Sequence, residues 1–257
     1  MGGAAVVSDW LVFGGSVRGP DHEREHLPCQ DAWARGPAGT RGVALCLCDG
    51  AGSASHAEVG AKVVSAAVVE ALRDLHAEEP TALAEALRAA CVAGQQALVR
   101  AAAEVAVSPA ALACTLVAVV STGDLVAVAH LGDGAVIGQQ AGSGELVVLS
   151  GPDRGEYVNE TWFVTSASWE ARLRVTVFTG VDALCVVTDG CQDACLVRGD
   201  AAAPFAPFFA PIFAFAAEAD DADLASGEVI QLLDGAALRG SSGDDKTLAV
   251  ARRRAAS

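Results

Sequence analysis

The chain has 257 residues, 52% of them hydrophobic, enough to bury a substantial core, and its 17 basic against 32 acidic side chains leave a formal charge of −15. That balance excludes the cationic footprint a nucleic-acid binder needs, and a single Tyr offers little for stacking on bases. The one basic run, Arg252-Arg253-Arg254, reads as a solvated tail within 252–257.

Residues 1–9 lack the basic start and long apolar stretch of a secretory signal. Cys46, Cys48, Cys114 and Cys185 sit in apolar runs where a thiol behaves as a small hydrophobe, so the expected compartment is the reducing cytoplasm. Short β-rich runs come first, at 10–17 and 42–48. Val64, Val68, Ala71, Leu72 and Leu75 then recur at helical spacing, and after Pro80 an Ala-rich helix is predicted over 81–105. From 113 the pattern turns to strands, at 115–120, 125–130, 135–139 and 146–149, read as a meander with a hairpin at Thr122-Gly123-Asp124. Further strands are predicted at 172–178 and 183–188. Residues 201–217 carry no charge but are too short and too proline-rich for a membrane span, and read as a buried, proline-broken helical or loop segment. Two more helical stretches precede a last strand at 247–251. Strand and helix runs are segregated, which favours an α+β layered fold over a doubly wound sheet. With no repeat and no linker, one domain over 1–257 is expected.

Four carboxylates share a local grammar. The apolar run 43–48 ends at Asp49-Gly50-Ala51-Gly52, and 184–188 ends at Asp189-Gly190; Gly132-Asp133-Gly134 and Gly243-Asp244-Asp245 repeat the pattern. A strand fixes such a carboxylate and glycine lets backbone carbonyls approach an ion. Singly, each reads as a turn. Converging without cations, each close pair would repel by about 4 kcal/mol at 4 Å.

The order Gln30-Asp31-Ala32, Asp49-Gly50-Ala51-Gly52, Cys114-Thr115-Leu116, Gly132-Asp133, Thr188-Asp189-Gly190 and Asp244-Asp245-Lys246-Thr247 resembles the metal-dependent protein phosphatases of the type 2C family. Gly155 to Thr161, with His22 and Pro28-Cys29-Gln30-Asp31, resembles a bacterial branch of it. The resemblance implies a four-layer α-β-β-α sandwich of two mostly antiparallel sheets, and phosphoserine or phosphothreonine proteins as substrates, set against a Ser/Thr kinase. It implies two Mn²⁺ or Mg²⁺ ions, with Asp49 bridging, the Gly50 carbonyl on one ion, Asp189 and Asp244 completing the ligands, and Asp133 serving a third. Asp31 would orient the attacking water from behind the ligands. Two departures stand out. Gln30 replaces the usual Glu, and His26 stands where an Arg often holds the phosphate, leaving His22, Arg18 or Arg24 to replace it, with His22 favoured.

Other readings compete. A pseudophosphatase that binds phosphoproteins without hydrolysis fits Gln30 and the missing Arg. His22-Glu23-Arg24-Glu25-His26 spells the zinc-protease pattern, but lies between Gly19-Pro20 and Leu27-Pro28 with no apolar helical stripe. Gly50 to Ser55 lacks the third glycine of a dinucleotide loop, Ser241 to Thr247 lacks the glycine of a phosphate loop, and Cys191 with Cys195 has no second cysteine pair. Residues 151–168, by position, suggest a flap beside the site.

Overall fold

The computed structural model describes residues 9–153, 161–197 and 203–254. In chain order the strands are β1 (Trp10–Val17), β2 (Ala32–Ala38), β3 (Gly42–Cys48), β4 (Leu116–Thr122), β5 (Leu125–Leu131), β6 (Ala135–Gln140), β7 (Leu146–Ser150), β8 (Arg174–Thr179), β9 (Val181–Val187), the short pair β10 (Leu196–Val197) and β11 (Ala203–Pro204), and β12 (Lys246–Arg253). The helices are α1 (Pro20–Glu25), α2 (Ala57–Ala71), α3 (Pro80–Glu104), α4 (Trp169–Arg172), α5 (Gln192–Cys195), α6 (Ala206–Glu218), α7 (Ala222–Leu233) and α8 (Ala236–Ser241).

Two five-stranded antiparallel sheets, ordered β1-β12-β9-β6-β7 and β2-β3-β4-β5-β8, pack face to face. The two-residue period of a strand explains why their central members are apolar throughout. In β3, Val43, Leu45 and Leu47 point into the layer between the sheets, and Ala44, Cys46 and Cys48 point outward against α2 and α3. In β9, Leu184 and Val186 face inward while Cys185 and Val187 meet α6 and α7 on the opposite outer face. Four layers, α-β-β-α, result, as the family resemblance implies.

The predicted meander is corrected. β4 and β5 form the expected hairpin, with Gly123 at φ 54°, but β6 and β7 belong to the other sheet. The chain changes sheets at Gly132-Asp133-Gly134, where Gly132 takes φ 113°, a conformation that favours glycine. Local alternation cannot distinguish a hairpin from a crossover between stacked sheets. Strand β2 was not predicted, because its sequence AWARGPA carries Gly, Pro and Arg; it survives as an edge strand paired only with β3. The uncharged stretch is also corrected: 206–218 is a helix, with Pro207 at its start and Pro211 inside it, and it is buried on one side only. No helix among the described residues is long and apolar enough to cross a membrane.

Because Leu45 is 1% exposed between the sheets, Leu45→Ala is expected to cost about 2–5 kcal/mol in chemical denaturation, whereas Leu224→Ala, at a side chain 74% exposed, leaves stability within about 0.5 kcal/mol.

Candidate metal centre

Antiparallel pairing brings the carboxylates to one end of the sandwich. Asp49 follows the last residue of β3, Asp189 lies two residues after β9, Asp244 lies just before β12, Asp133 sits in the crossover before β6, and Asp31 precedes β2. Since β9 runs against both β12 and β6, with Val187 opposite Leu248 and Ala135, the end of one strand lies beside the beginnings of the others. Asp49, Asp133, Asp189 and Asp244 line one cavity of about 170 Å³ with Gly50, Gln30, His22, Thr115, Thr161 and Phe163. No Lys or Arg among the described residues lines it.

The convergence differs in detail from the sequence reading. Asp49, Asp133 and Asp189 bring ligand atoms within 4.8 Å of one another, while Asp244 forms a second such group with His22 and Asp245. Asp133, expected as the outlying carboxylate, is in the inner group, and Asp244 shares the cavity from its other wall. Thr161 Oγ1 donates to Asp133 Oδ2 at 2.8 Å, and Gln192 Nε2 to the Asp133 carbonyl. Asp49 is steadied through its backbone: its N–H donates to Thr115 Oγ1 at 3.1 Å, its carbonyl accepts from Thr115 N at 2.8 Å, and Gly50 bridges to Cys114.

Asp31 lies behind the cavity, buried, its Oδ2 accepting from Thr188 Oγ1 and Thr247 Oγ1 at 2.8 Å each. These threonines flank Asp189 and begin β12, so Asp31 ties three loops together. Burial pushes its carboxyl up to about 8, against the two threonine hydrogen bonds and with repulsion from Asp245 and Asp189. Burial likewise raises Asp189 to about 6 and carries Asp49 well above the usual carboxylate range, with Asp31 and Asp189 repelling it.

Several residues here escaped the sequence reading. Asp245 was seen only as Asp244's neighbour, yet it is the staple of the N-terminal loop: Oδ1 accepts from Gly19 N at 2.7 Å, Oδ2 from Gln30 N at 2.6 Å and from His22 Nδ1 at 2.8 Å. Lys246 is 1% exposed, and its ammonium donates to the carbonyls of Ser242 and Asp244 at 2.8 and 2.7 Å, closing the loop that presents Asp244. Thr188 and Thr247 looked like ordinary strand residues. Gly190 is required by close approach, since a Cβ there would lie 1.9 Å from the Asp245 carbonyl oxygen.

The site fits divalent cations. Asp189 Oδ1 and Gln30 Oε1 are buried without a hydrogen-bond partner on the cavity wall, where the donor set is entirely oxygen apart from His22. Hard oxygen donors suit Mg²⁺ and Mn²⁺.

The zinc-protease alternative is overturned. Only six residues are helical, none of them buried, and His26 is the left-handed C-cap at φ 59° while His22 turns to Asp245. Arg24 pairs with Asp21, and Arg18 donates to the Leu27 carbonyl at 3.3 Å, so neither arginine faces the cavity. Part of the flap, 154–160, including Tyr157, lies outside the described residues. Its described flanks abut the site: Asp153 N donates to the Gly132 carbonyl, Val164 N to the Cys114 carbonyl, and Arg172 stacks on Trp162 at 4.4 Å.

Raised carboxyls hold protons that a cation must displace, and a carboxyl with a raised folded pKa destabilises the ion-free fold as pH rises through the interval between its unfolded and folded values. The rise in Tm on adding Mn²⁺ is therefore expected to be larger at about pH 8 than at about pH 5.5, as differential scanning fluorimetry would show. An equal rise at both would mean the carboxylates do not receive the ion.

Residues 18–233 match a family model described as protein phosphatase 2C. The chain is 31% identical to serine/threonine-protein phosphatase 3 of Escherichia coli (strain K12), over 94% of this chain and 98% of that protein. Its fold is similar to the serine/threonine phosphatase Stp1 from Staphylococcus aureus (TM-score 0.65, 18% identity, 99% of this chain and 100% of that one). It is also similar to the catalytic domain of the serine threonine protein phosphatase PstP in complex with two manganese ions (TM-score 0.64, 22% identity, 96% and 99%).

Proposed function

Because the chain belongs to the protein phosphatase 2C family, we propose that it hydrolyses phosphoserine and phosphothreonine in other proteins with the acidic cavity as its active centre. One observation carries the assignment of the site. Four aspartates from four separate strand ends line a single cavity whose wall carries no Lys or Arg among the described residues, so bound cations would supply the positive charge a phosphate needs there. In this reading Asp49, the Gly50 carbonyl, Asp189 and Asp244 hold two Mn²⁺ or Mg²⁺ ions, and Asp133 contributes to a third. When bound, such ions neutralise phosphate charge and make water a nucleophile near neutral pH.

The protein's own part is to hold and orient. Asp31, gripped by Thr188 and Thr247, faces the ligand loops from behind, as a hydrogen-bond acceptor that aligns water. His22 takes the place of the absent arginine. Its Nδ1 is committed to Asp245, which leaves Nε2 as the ring nitrogen available to a phosphoryl or leaving-group oxygen. Geometry from the second carboxylate thus orients the imidazole, as in other paired His–Asp arrangements. Gln30 donates its backbone N–H to Asp245, and its side chain lies on the cavity wall with Oε1 buried and unpartnered. A binding-only pseudophosphatase draws no support from a site in which every expected carboxylate is present and converges.

The two sheets share one core, which supports a single phosphatase domain. Eight free cysteines, seven of them buried, support a reducing cytoplasm, where the substrates are products of a Ser/Thr kinase.

With Mn²⁺ and a phosphothreonine peptide, phosphate release is expected, and Asp49→Asn should reduce it about 100-fold or more. His22→Ala should lower kcat/KM about 10- to 100-fold at unchanged Mn²⁺ affinity by calorimetry, the loss of one hydrogen bond to a charged group. Full activity in the Asp49 variant would refute the metal centre; full activity in the His22 variant would refute only the role given to the imidazole.

A further inference from the structure

On the outer face of the β1-containing sheet, α6 and α7 wall a groove of about 360 Å³. Phe208, Pro211 and Phe215 of α6 form one wall; Glu228, Val229 and Leu232 of α7 form the other. Phe13 of β1 makes the floor and meets Phe215 edge-on at 5.9 Å. No described residue fills the groove, and its rim is apolar: Phe215 is 39% and Leu232 41% exposed, and Ile230 of α7 is 45% exposed. An apolar face kept in water in this way marks an interaction surface.

Charge identifies what fits there. From 205 to 234 the chain carries Glu218, Asp220, Asp221, Asp223, Glu228 and Asp234 and no Lys or Arg. Some of these are engaged: Asp221 caps α7, Asp223 pairs with Arg35 and Asp234 with Arg239. Glu218, Asp220 and Glu228 are exposed and form no ion pair among the described residues. The chain also shows that this region accepts a guanidinium, since Arg252 Nη2 donates to the Ala219 carbonyl at the end of α6 at 3.0 Å. A second copy docking here through a two-fold axis would set this acidic face against itself, and an anionic bilayer would repel it. We propose that the groove between α6 and α7 docks a basic amphipathic helix of a partner protein, its apolar residues at i, i+3 or i+4 and i+7 seated between the two helices and its Lys or Arg flanks paired with Glu228 and Glu218. A trough walled by two helices accepts a third, and ridge spacing of three and four residues matches such anchors. No residue lines both this groove and the acidic cavity, so docking and catalysis occupy separate surfaces.

The test uses the full chain and a fluorescein-labelled peptide of about 14 residues, made of Leu at helical spacing and Lys elsewhere, followed by anisotropy. Binding in the micromolar range is expected. The double variant Phe215→Ser with Leu232→Ser should weaken it about tenfold or more, and Glu228→Lys should weaken it and flatten its salt dependence. Both substitutions fall on exposed positions, and an unchanged Tm confirms the fold. Four results would overturn the proposal: no binding at about 100 µM, equal binding by the double variant, equal binding of a peptide with Glu in place of Lys, or equal binding when the same residues are rearranged to alternate spacing. Sedimentation of a dimer, or of protein with phosphatidylglycerol vesicles, that the double variant abolishes would likewise overturn it in favour of a second copy or a lipid surface.

Discussion

Several carboxylates forced into one partly dehydrated space set the terms for everything else at this end of the molecule. Asp31 and Asp49 owe their raised pKa values first to burial, and then to repulsion, from Asp245 and Asp189 on Asp31 and from Asp31 and Asp189 on Asp49. Such an arrangement is unfavourable in isolation, and about 4 kcal/mol of repulsion per close pair has to be offset by something positive or by protons. The surrounding structure is built to withstand it. Thr188 and Thr247 donate to Asp31, Thr115 locks the Asp49 backbone, and Lys246, the one buried ammonium in the neighbourhood, spends its protons on the carbonyls of the Asp244 loop. The lysine braces a ligand loop from outside the cavity and does not neutralise the carboxylates themselves. That division keeps the cavity acidic and receptive to cations.

His22, on the cavity wall, is tethered by Asp245 through Nδ1. Asp245 also holds the backbone of Gly19 and Gln30, so a single buried carboxylate positions the imidazole, the turn before α1 and the approach to Asp31. The N-terminal loop and the C-terminal strand are thereby joined across 226 residues of sequence separation. Cooperative folding of the whole sandwich is a condition of assembling the site.

Much was legible from residue order. The apolar runs that became β1 and β3 are continuous because both faces of those strands are covered, and a carboxylate followed by glycine after such a run is a recognisable local pattern. Helical periodicity located α3 to within a residue at each end, but in α2 it marked only the part from Val64 onward and ran past the helix end at Ala71. Less was legible where local chemistry was ambiguous: β2 holds Gly, Pro and Arg, and its strand state derives from pairing with β3 alone.

From the sequence by itself came the candidate aspartates, the layered α+β class and the family resemblance, because each depends on local pattern and on order along the chain. Tertiary structure alone decided that β6 crosses to the other sheet, that Asp133 joins Asp49 and Asp189 while Asp244 stands with His22, and that Asp245, Lys246 and two threonines hold the loops in place. These are distances between residues remote in sequence, set by strand pairing and by how two sheets stack, and side-chain periodicity carries no information about either.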